Sequence, residues 1–479
     1  MKSILCNRGY ILNKKYFDKK IIDNIKKELF VTPFTIDKQF YVSGFKLYLE
    51  NSKQICIPKY YGIKKLGEVE CNDIYEGDDI NCSFVGTLRE YQENIFKTFI
   101  TKFKKEKGGI LSIPPGKGKT VMGIYLISIL KKKTLIIVHK SFLINQWRKR
   151  LEQYLPSSKI GEIRQDKIDI DGKDVVIGML QSISMKDYDL EIFEDFGFCI
   201  IDEVHHLGAE VFSRALQKIN SDYMLGLSAT PFREDKLEKV IYWYIGDILY
   251  LEKASITQTI KVNICNYSIN HKLFCEVKNP RTMKAQMSTM ISNIIEITER
   301  TKIFMDFLIK IKKKEPLRKV LVLSERLGHL EEMKNIIDEK TNYTTSKYIG
   351  GMKEKKLDEA EEAEIIFSTY QMSSEGLDIP TLNTILLTTS RKNVEQSVGR
   401  ILRKQGGQAV FPLIIDFVDN IKQFKNQGSI RKRYYKKITE EDNISYYENK
   451  DNKFVDKNSS RIKNETELNK KPILFINDD

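Results

Sequence analysis

The sequence lacks any long apolar run. Nothing approaches the roughly 18 residues that cross a bilayer, and the opening Met1-Lys2-Ser3-Ile4-Leu5-Cys6-Asn7-Arg8 has no extended apolar core of a secretion signal. The expectation is a soluble, intracellular chain without a membrane partner. Paired cysteines are also missing. Cys6, Cys56, Cys71, Cys82, Cys199, Cys265 and Cys275 are scattered, with no CxxC. That argues against a zinc or iron–sulfur site and against a disulfide framework. The cysteines read as reduced, small, buried residues. No repeat or low-complexity tract dominates. Negative charge is in deficit, with 65 Asp and Glu against 79 Lys and Arg, a formal charge of +14 and a pI near 9.1. The balance leans toward a polyanionic partner. Part of it reflects a general abundance of Lys, Ile and Asn.

At 479 residues the chain is too long for one core. Residues 1–86 read as a small α+β domain, an accessory and candidate DNA-binding module. Ile21, Ile22, Ile25 and Leu29 recur at helical spacing. Phe40-Tyr41-Val42 and Phe45–Leu49 precede the polar turn 50–53 and the apolar Gln54–Ile57, which predicts a hairpin. Over 87–255, short apolar runs alternate with longer polar helical stretches. The runs are Gly109–Ile113, Leu135–Val138, Val175–Ile177, Phe198–Ile201 and Met224–Leu227. This is the pattern of a parallel sheet covered on both faces. A less regular connection spans 256–290. A second set of runs then fills 291–438, with Val320–Leu323, Ile365–Phe367, Ile385–Leu387 and Leu413–Ile415. Residues 439–479, rich in Lys, Asn, Asp and Glu, read as a mostly disordered tail. Ile473-Leu474-Phe475-Ile476 near its end suits strand addition to a partner or to the chain itself.

The first lobe carries a phosphate loop of the Walker A kind. The run 109–113 leads into Pro114-Pro115-Gly116-Lys117-Gly118-Lys119-Thr120, and an apolar helix begins at Val121. Glycines let backbone N–H groups turn toward an anion, and a helix N-terminus adds its dipole. Lys119 suits the β- and γ-phosphates of ATP, and the Thr120 hydroxyl suits Mg2+. The strict pattern has glycine five residues before Gly118, where this chain has Ile113. Further on, Phe198–Ile201 ends in Asp202-Glu203-Val204-His205. Carboxylates at the C-terminal edge of such a strand lie where open α/β sheets bind ligands. Asp202 would hold Mg2+, and Glu203 would orient and deprotonate the attacking water.

With these two elements in this order, the chain resembles the superfamily 2 helicases. The resemblance implies two tandem RecA-like parallel-sheet lobes that bind ATP and Mg2+ and step along nucleic acid. Leu88-Arg89-Glu90-Tyr91-Gln92 is similar to the adenine-reading element, with Arg89 and Gln92 as contacts. Ser228-Ala229-Thr230-Pro231 resembles the motif that couples hydrolysis to strand movement, through Ser228 and Thr230. In the second lobe Thr369, Glu375, Gly376, Leu377, Asp378, Ile379 and Pro380 resemble the fifth motif, with Gly376 and Asp378 on the nucleotide. Gln396-Ser397-Val398-Gly399-Arg400-Ile401-Leu402-Arg403 resembles the sixth, with Gln396 coupling and Arg400 and Arg403 as arginine fingers, one helical face apart. Strand contacts are implied for His139, Gln146, Gln181 and Thr369.

Finer details look like the XPB-like branch and the transcript-release helicases of poxviruses and other large DNA viruses. These are Val138-His139-Lys140 followed by Gln146-Trp147, and Arg233-Glu234-Asp235 directly after Ser-Ala-Thr-Pro, although Lys236 departs from what often comes next. In the N-terminal domain, Pro58-Lys59-Tyr60-Tyr61 and Lys64-Lys65 interleave cations and rings in a way that suits a single strand. A solvated basic rim is the alternative there. The leading expectation is a monomeric, ATP-dependent DNA helicase or translocase serving transcription or repair machinery. A DExH-type RNA helicase and a translocase without strand separation are the alternatives. A scaffold that has lost hydrolysis is disfavoured by the intact Lys119, Thr120, Asp202, Glu203, Arg400 and Arg403.

Overall fold

The computed structural model describes residues 1–34, 43–114, 116–204, 209–229, 236–252, 259–375, 377, 379–402 and 410–457. The chain divides into two compact units, Met1–Lys253 and Ala254–Asp479.

In the first unit the N-terminal residues build a five-stranded sheet. Across it run Leu49–Glu50, Gln54–Ile57, Gly9–Asn13, Ser3–Cys6 and Cys71–Asn72. The predicted hairpin is present between Leu49–Glu50 and Gln54–Ile57. Its turn is held by Asn51, whose Oδ1 accepts from the N–H groups of Lys53 and Gln54 at 2.8 and 2.7 Å. Phe45–Lys46 pairs instead with Phe30–Val31, and Phe40–Val42 lie outside the described residues. The helix Lys19–Glu28 is capped by Asp18 and buries Ile22 and Ile25, with Leu29 just beyond it. Ile21, expected in the same stripe, is 43% exposed.

The expected strand-stacking surface at 58–61 is instead core. Lys59, Tyr60 and Tyr61 are all buried. Lys59 Nζ donates to the carbonyls of Ser221 and Asp222 at 3.2 and 2.9 Å. Tyr60 lies over Gly108, where a Cβ would come within 1.8 Å of the phenol oxygen. The cation and ring that suit a nucleic acid suit equally a sheet end with carbonyls to satisfy and a glycine to cover. Lys64 pairs with Asp247 at 2.5 Å and Lys65 with Glu28 at 2.7 Å, both partly exposed. This segment therefore fastens the N-terminal residues to the first large sheet.

That sheet has eight strands. Across it run Lys167–Asp169, Ile160–Arg164, Val175–Met179, Thr134–Val138, Phe198–Ile201, Tyr223–Ser228, Gly108–Ser112 and Ile248–Leu251. All neighbours are parallel except the edge pair 160–164 with 167–169. Every residue of the strands 108–112, 134–138 and 198–201 is buried, as continuous apolar runs require when helices cover both faces. The helix Lys119–Leu130 is largely apolar and buries Met122, Gly123, Ile124, Leu126, Ile127 and Ser128.

The second unit repeats the plan. Across its eight strands run Thr345–Tyr348, Ile365–Thr369, Val320–Ser324, Thr384–Leu387, Leu413–Asp419, Lys261–Tyr267, Ile444–Lys450 and Lys453–Asp456. Two expectations need correction here. Lys261–Tyr267, assigned to a connection at 256–290, pairs along its whole length with Leu413–Asp419. Ile444–Lys450 and Lys453–Asp456, assigned to a disordered tail, extend the sheet by a parallel strand and an antiparallel edge strand. Polar residues such as Asn263, Asn266 and Glu448 interrupt the apolar signal in these strands. Their burial rests on alternate residues, including Val262, Ile264 and Phe454. Residues 458–479, with the candidate docking strand 473–476, lie outside the described residues. Two buried ion pairs tie helices to the strand Leu413–Asp419: Arg300 with Asp419 and Arg431 with Asp416.

Candidate nucleotide site

Strand order builds the site. Gly108–Ser112 and Phe198–Ile201 flank Tyr223–Ser228, so the phosphate loop, Ser228 and the Asp202-Glu203 carboxylates leave one edge of the sheet side by side. The departure at Ile113 has a physical reason. Ile113 is fully buried among core side chains, and its N–H donates to the Ser228 carbonyl at 3.0 Å. The position continues the sheet, and the turn expected to bind an anion starts at Pro114. Gly116 and Gly118 hold φ of 80° and 85°, in the left-handed region glycine reaches without a Cβ penalty. Gly118 caps the helix that begins at Lys119.

The Lys119 ammonium donates to Glu203 Oε1 at 2.8 Å, with the two side chains only 10% and 20% exposed. Glu203 adopts φ 50°, which a non-glycine residue rarely adopts away from a constrained site. Asp202 is 7% exposed. Its N–H donates to Ile137 O at 3.0 Å, and its Oδ2 accepts from Trp147 Nε1 at 2.9 Å. Burial and the neighbouring Glu203 carboxylate push the Asp202 carboxyl up to about 6, while the indole N–H and Lys119 pull the other way. A crowded pair of buried carboxylates with one cation beside it is a donor set that suits a divalent metal. Asp202 and the Thr120 hydroxyl fit Mg2+ in that sense, and the indole leaves Oδ1 to a cation.

Of the two residues expected to read adenine, Gln92 is bonded to the loop itself. Gln92 is 4% exposed. Its Oε1 accepts from Arg89 N at 3.0 Å, and its Nε2 donates to the Lys117 carbonyl at 3.0 Å. Tyr91 Oη donates to the same carbonyl at 3.2 Å, and Lys117 Nζ lies 4.9 Å from the Tyr91 ring centre. Gln92 thus braces the phosphate loop as well as standing next to it, and Arg89 is exposed.

Of the residues expected on a strand, His139 is buried, with its carbonyl held by Gln181 Nε2 at 2.9 Å, and Gln146 is half-buried. In the second unit Thr369 Oγ1 accepts from Met372 N at 3.3 Å and starts the helix Tyr370–Glu375. Arg400 Nε donates to the Ser373 carbonyl at 2.9 Å, and Arg400 Nη2 to that of Ser374. Ser373 and Ser397 share a hydroxyl hydrogen bond at 2.8 Å. The fifth- and sixth-motif segments, including Gln396 on the helix Glu395–Val398, are therefore gathered together. Pro115, Thr230, Gly376, Asp378 and Arg403 lie outside the described residues, as do His205 and Arg233–Asp235. Trp147 and Tyr91, which lie within motifs named from the sequence but were given no role there, also take part. Each sits beside a residue that was singled out, and neither carries a charge to mark it.

Comparisons with known proteins show the family of the chain. The family model described as "Type III restriction enzyme, res subunit" matches residues 86–233. A protein of Acanthamoeba polyphaga mimivirus named "Putative ATP-dependent RNA helicase" is 40% identical over 448 residues, covering 91% of this chain and 86% of that one. The "DNA 3'-5' translocase XPB2" of Sulfurisphaera tokodaii is 34% identical over 200 residues, 40% of this chain and 41% of its own. Among solved structures, the ATP-dependent Type ISP restriction-modification enzyme LlaBIII bound to DNA shares the fold, with TM-score 0.51 at 16% identity over 74% of this chain and 30% of that one. With a glycine-containing loop and paired carboxylates at the ends of strands that flank Tyr223–Ser228, the chain belongs to the superfamily 2 helicases, ATP-dependent motors that act on nucleic acid.

Proposed function

We propose that the chain couples ATP hydrolysis to movement along DNA, in transcription or repair. The observation that carries the hydrolysis site is the Lys119–Glu203 ion pair at the sheet edge, with Asp202 beside it. In this reading ATP draws Lys119 onto its β- and γ-phosphates. Glu203 is thereby released to orient and deprotonate the attacking water. Thr120 and Asp202 hold Mg2+, which when bound neutralises phosphate charge. Arg89 and Gln92 face the adenine. Backbone N–H groups across Pro114–Thr120 cradle the phosphates. Gly376 and Asp378 complete the nucleotide contacts from the second lobe. Arg400 and Arg403 act as arginine fingers once the lobes close. Ser228, Thr230 and Gln396 transmit the change to a strand held by His139, Gln146, Gln181 and Thr369.

The DNA reading is supported by similarity to a relative named a DNA translocase. RNA is the second reading, favoured by the name of the mimivirus relative. ATPase assays with DNA and RNA of equal length at one salt concentration separate them, because phosphate binding falls steeply with salt. DNA is expected to stimulate more, and stronger stimulation by RNA overturns that choice. Lys119→Ala is expected to abolish stimulated hydrolysis, and retained activity refutes the site. Displacement of a strand from a duplex distinguishes unwinding from translocation alone.

A further inference from the structure

Trp147 stands where three elements meet. It is the seventh residue of the helix Ser141–Tyr154 and only 1% exposed. On one side its indole N–H reaches Asp202 Oδ2 at 2.9 Å. On another, its Cη2 lies 3.5 Å from where a Cβ on Gly123 would stand, one turn into the helix that begins at Lys119. The indole is a donor only. A phenyl ring would fill most of the same space with no polar atom to satisfy, so the N–H is what distinguishes this side chain. A single hydrogen bond to one oxygen fixes the carboxylate plane and reserves Oδ1 for other work. The helix that carries Trp147 starts directly after His139-Lys140, and the His139 carbonyl is itself held by Gln181. A helix moves nearly as a rigid rod, so displacement of its N-terminal end shifts the indole, roughly 9 Å along its axis.

We propose that Trp147 is the positioning residue of Asp202 and that it relays strand contact at 139–146 to that carboxylate. The inference rests on the reading of Asp202 as the Mg2+ carboxylate and goes beyond it by naming what orients Asp202 and what moves it. Nucleic acid pressing on the segment 139–146 adjusts the helix, the helix carries the indole, and the indole sets the rotation of Asp202. Stimulation by nucleic acid would then arise within the first lobe as well as from closure.

The test is Trp147→Phe, which keeps an aromatic ring and deletes the donor. The expected result is an increase of about tenfold in the Mg2+ concentration for half-maximal ATPase, the size typical of losing an outer hydrogen bond to a metal ligand. kcat should fall more than KM for ATP, and the stimulation ratio with an oligonucleotide should shrink. Unchanged Mg2+ demand overturns the positioning role. A purely structural role lowers the melting temperature and leaves Mg2+ demand alone. The chain has two tryptophans, so Trp243→Phe leaves Trp147 as the sole tryptophan, excited selectively over tyrosine, whether or not Trp147→Phe folds. An oligonucleotide added without nucleotide should shift its emission, and a spectrum that does not move overturns the relay. Lys119→Ala separates the two readings. If that variant hydrolyses ATP normally, the site assignment fails. If it is inactive while Trp147→Phe behaves like the parent, only the role of Trp147 fails.

Discussion

Removing the Asp416 carboxylate is the most demanding test of how the second unit is held together. Asp416 lies on the strand Leu413–Asp419. Its two oxygens accept from Arg431 Nε and Nη2, each at 2.8 Å, and Oδ2 also accepts from Tyr435 Oη at 2.9 Å. Both members of the pair are 1% exposed. Arg431 Nη1 donates in addition to the Arg391 carbonyl at 2.6 Å, on the segment leading to the helix that carries Gln396. Asp416→Ala therefore leaves a buried guanidinium with one carbonyl for a partner. An uncompensated buried charge of this kind costs about 3–5 kcal/mol. For a domain of roughly 200 residues, each kcal/mol moves the melting temperature by about 2–4 °C, so a drop of about 6–20 °C is expected. Calorimetry of the full chain reads it. Paired replacement, Asp416→Leu with Arg431→Met, removes both charges and should recover most of the loss. A single variant that melts within about 2 °C of the parent, or a paired variant as weak as the single one, would refute the reasoning.

Two further outcomes follow from the first unit. Gly118→Ala places a Cβ 2.2 Å from Gln92 Nε2 at a φ of 85°. The left-handed conformation alone costs about 1–2 kcal/mol, and nucleotide titration should show weaker ATP binding. Adding Gln92→Ala should relieve the steric part, and an effect of Gly118→Ala that is unchanged in that background would show the collision is not its cause. Lys59, pushed down from 10.5 to about 8 by burial, makes stability depend on pH. The unfolded chain holds this proton more tightly than the folded one, so folding gains stability as pH rises from about 8 toward 10.5 and loses it on the way back. The full span is about 3 kcal/mol. Denaturant melts of the parent and of Lys59→Met across that range should show the increment in the parent alone; parallel curves would rule it out.

Much of the candidate nucleotide site was legible in the primary structure because its signals are local. A strand, a glycine-containing turn and a helix start adjoin one another at 108–120, and a fully apolar run ends in two carboxylates at 198–203. Parallel-sheet strands buried on both faces also advertise themselves, and every run named from sequence in the two lobes is a strand. Elements whose burial is one-sided or interrupted were harder. Lys261–Tyr267 and the pair 444–450 and 453–456 alternate apolar residues with Asn, Glu and Lys, so they resembled a connection and a tail. Lys59 and Tyr60 misled in the opposite direction, because a lysine beside tyrosines looks the same whether it meets phosphate or a row of carbonyls.

Local order along the chain, then, determined the class of chemistry: residue types at short spacing specify a phosphate loop and a carboxylate strand end without reference to anything distant. Tertiary structure alone decided that Lys119 meets Glu203, that Gln92 braces the Lys117 carbonyl and that Trp147 holds Asp202. Those contacts join residues 84, 25 and 55 positions apart. They depend on which strands lie side by side, and strand order is set by the packing of whole faces, which no short stretch of sequence encodes.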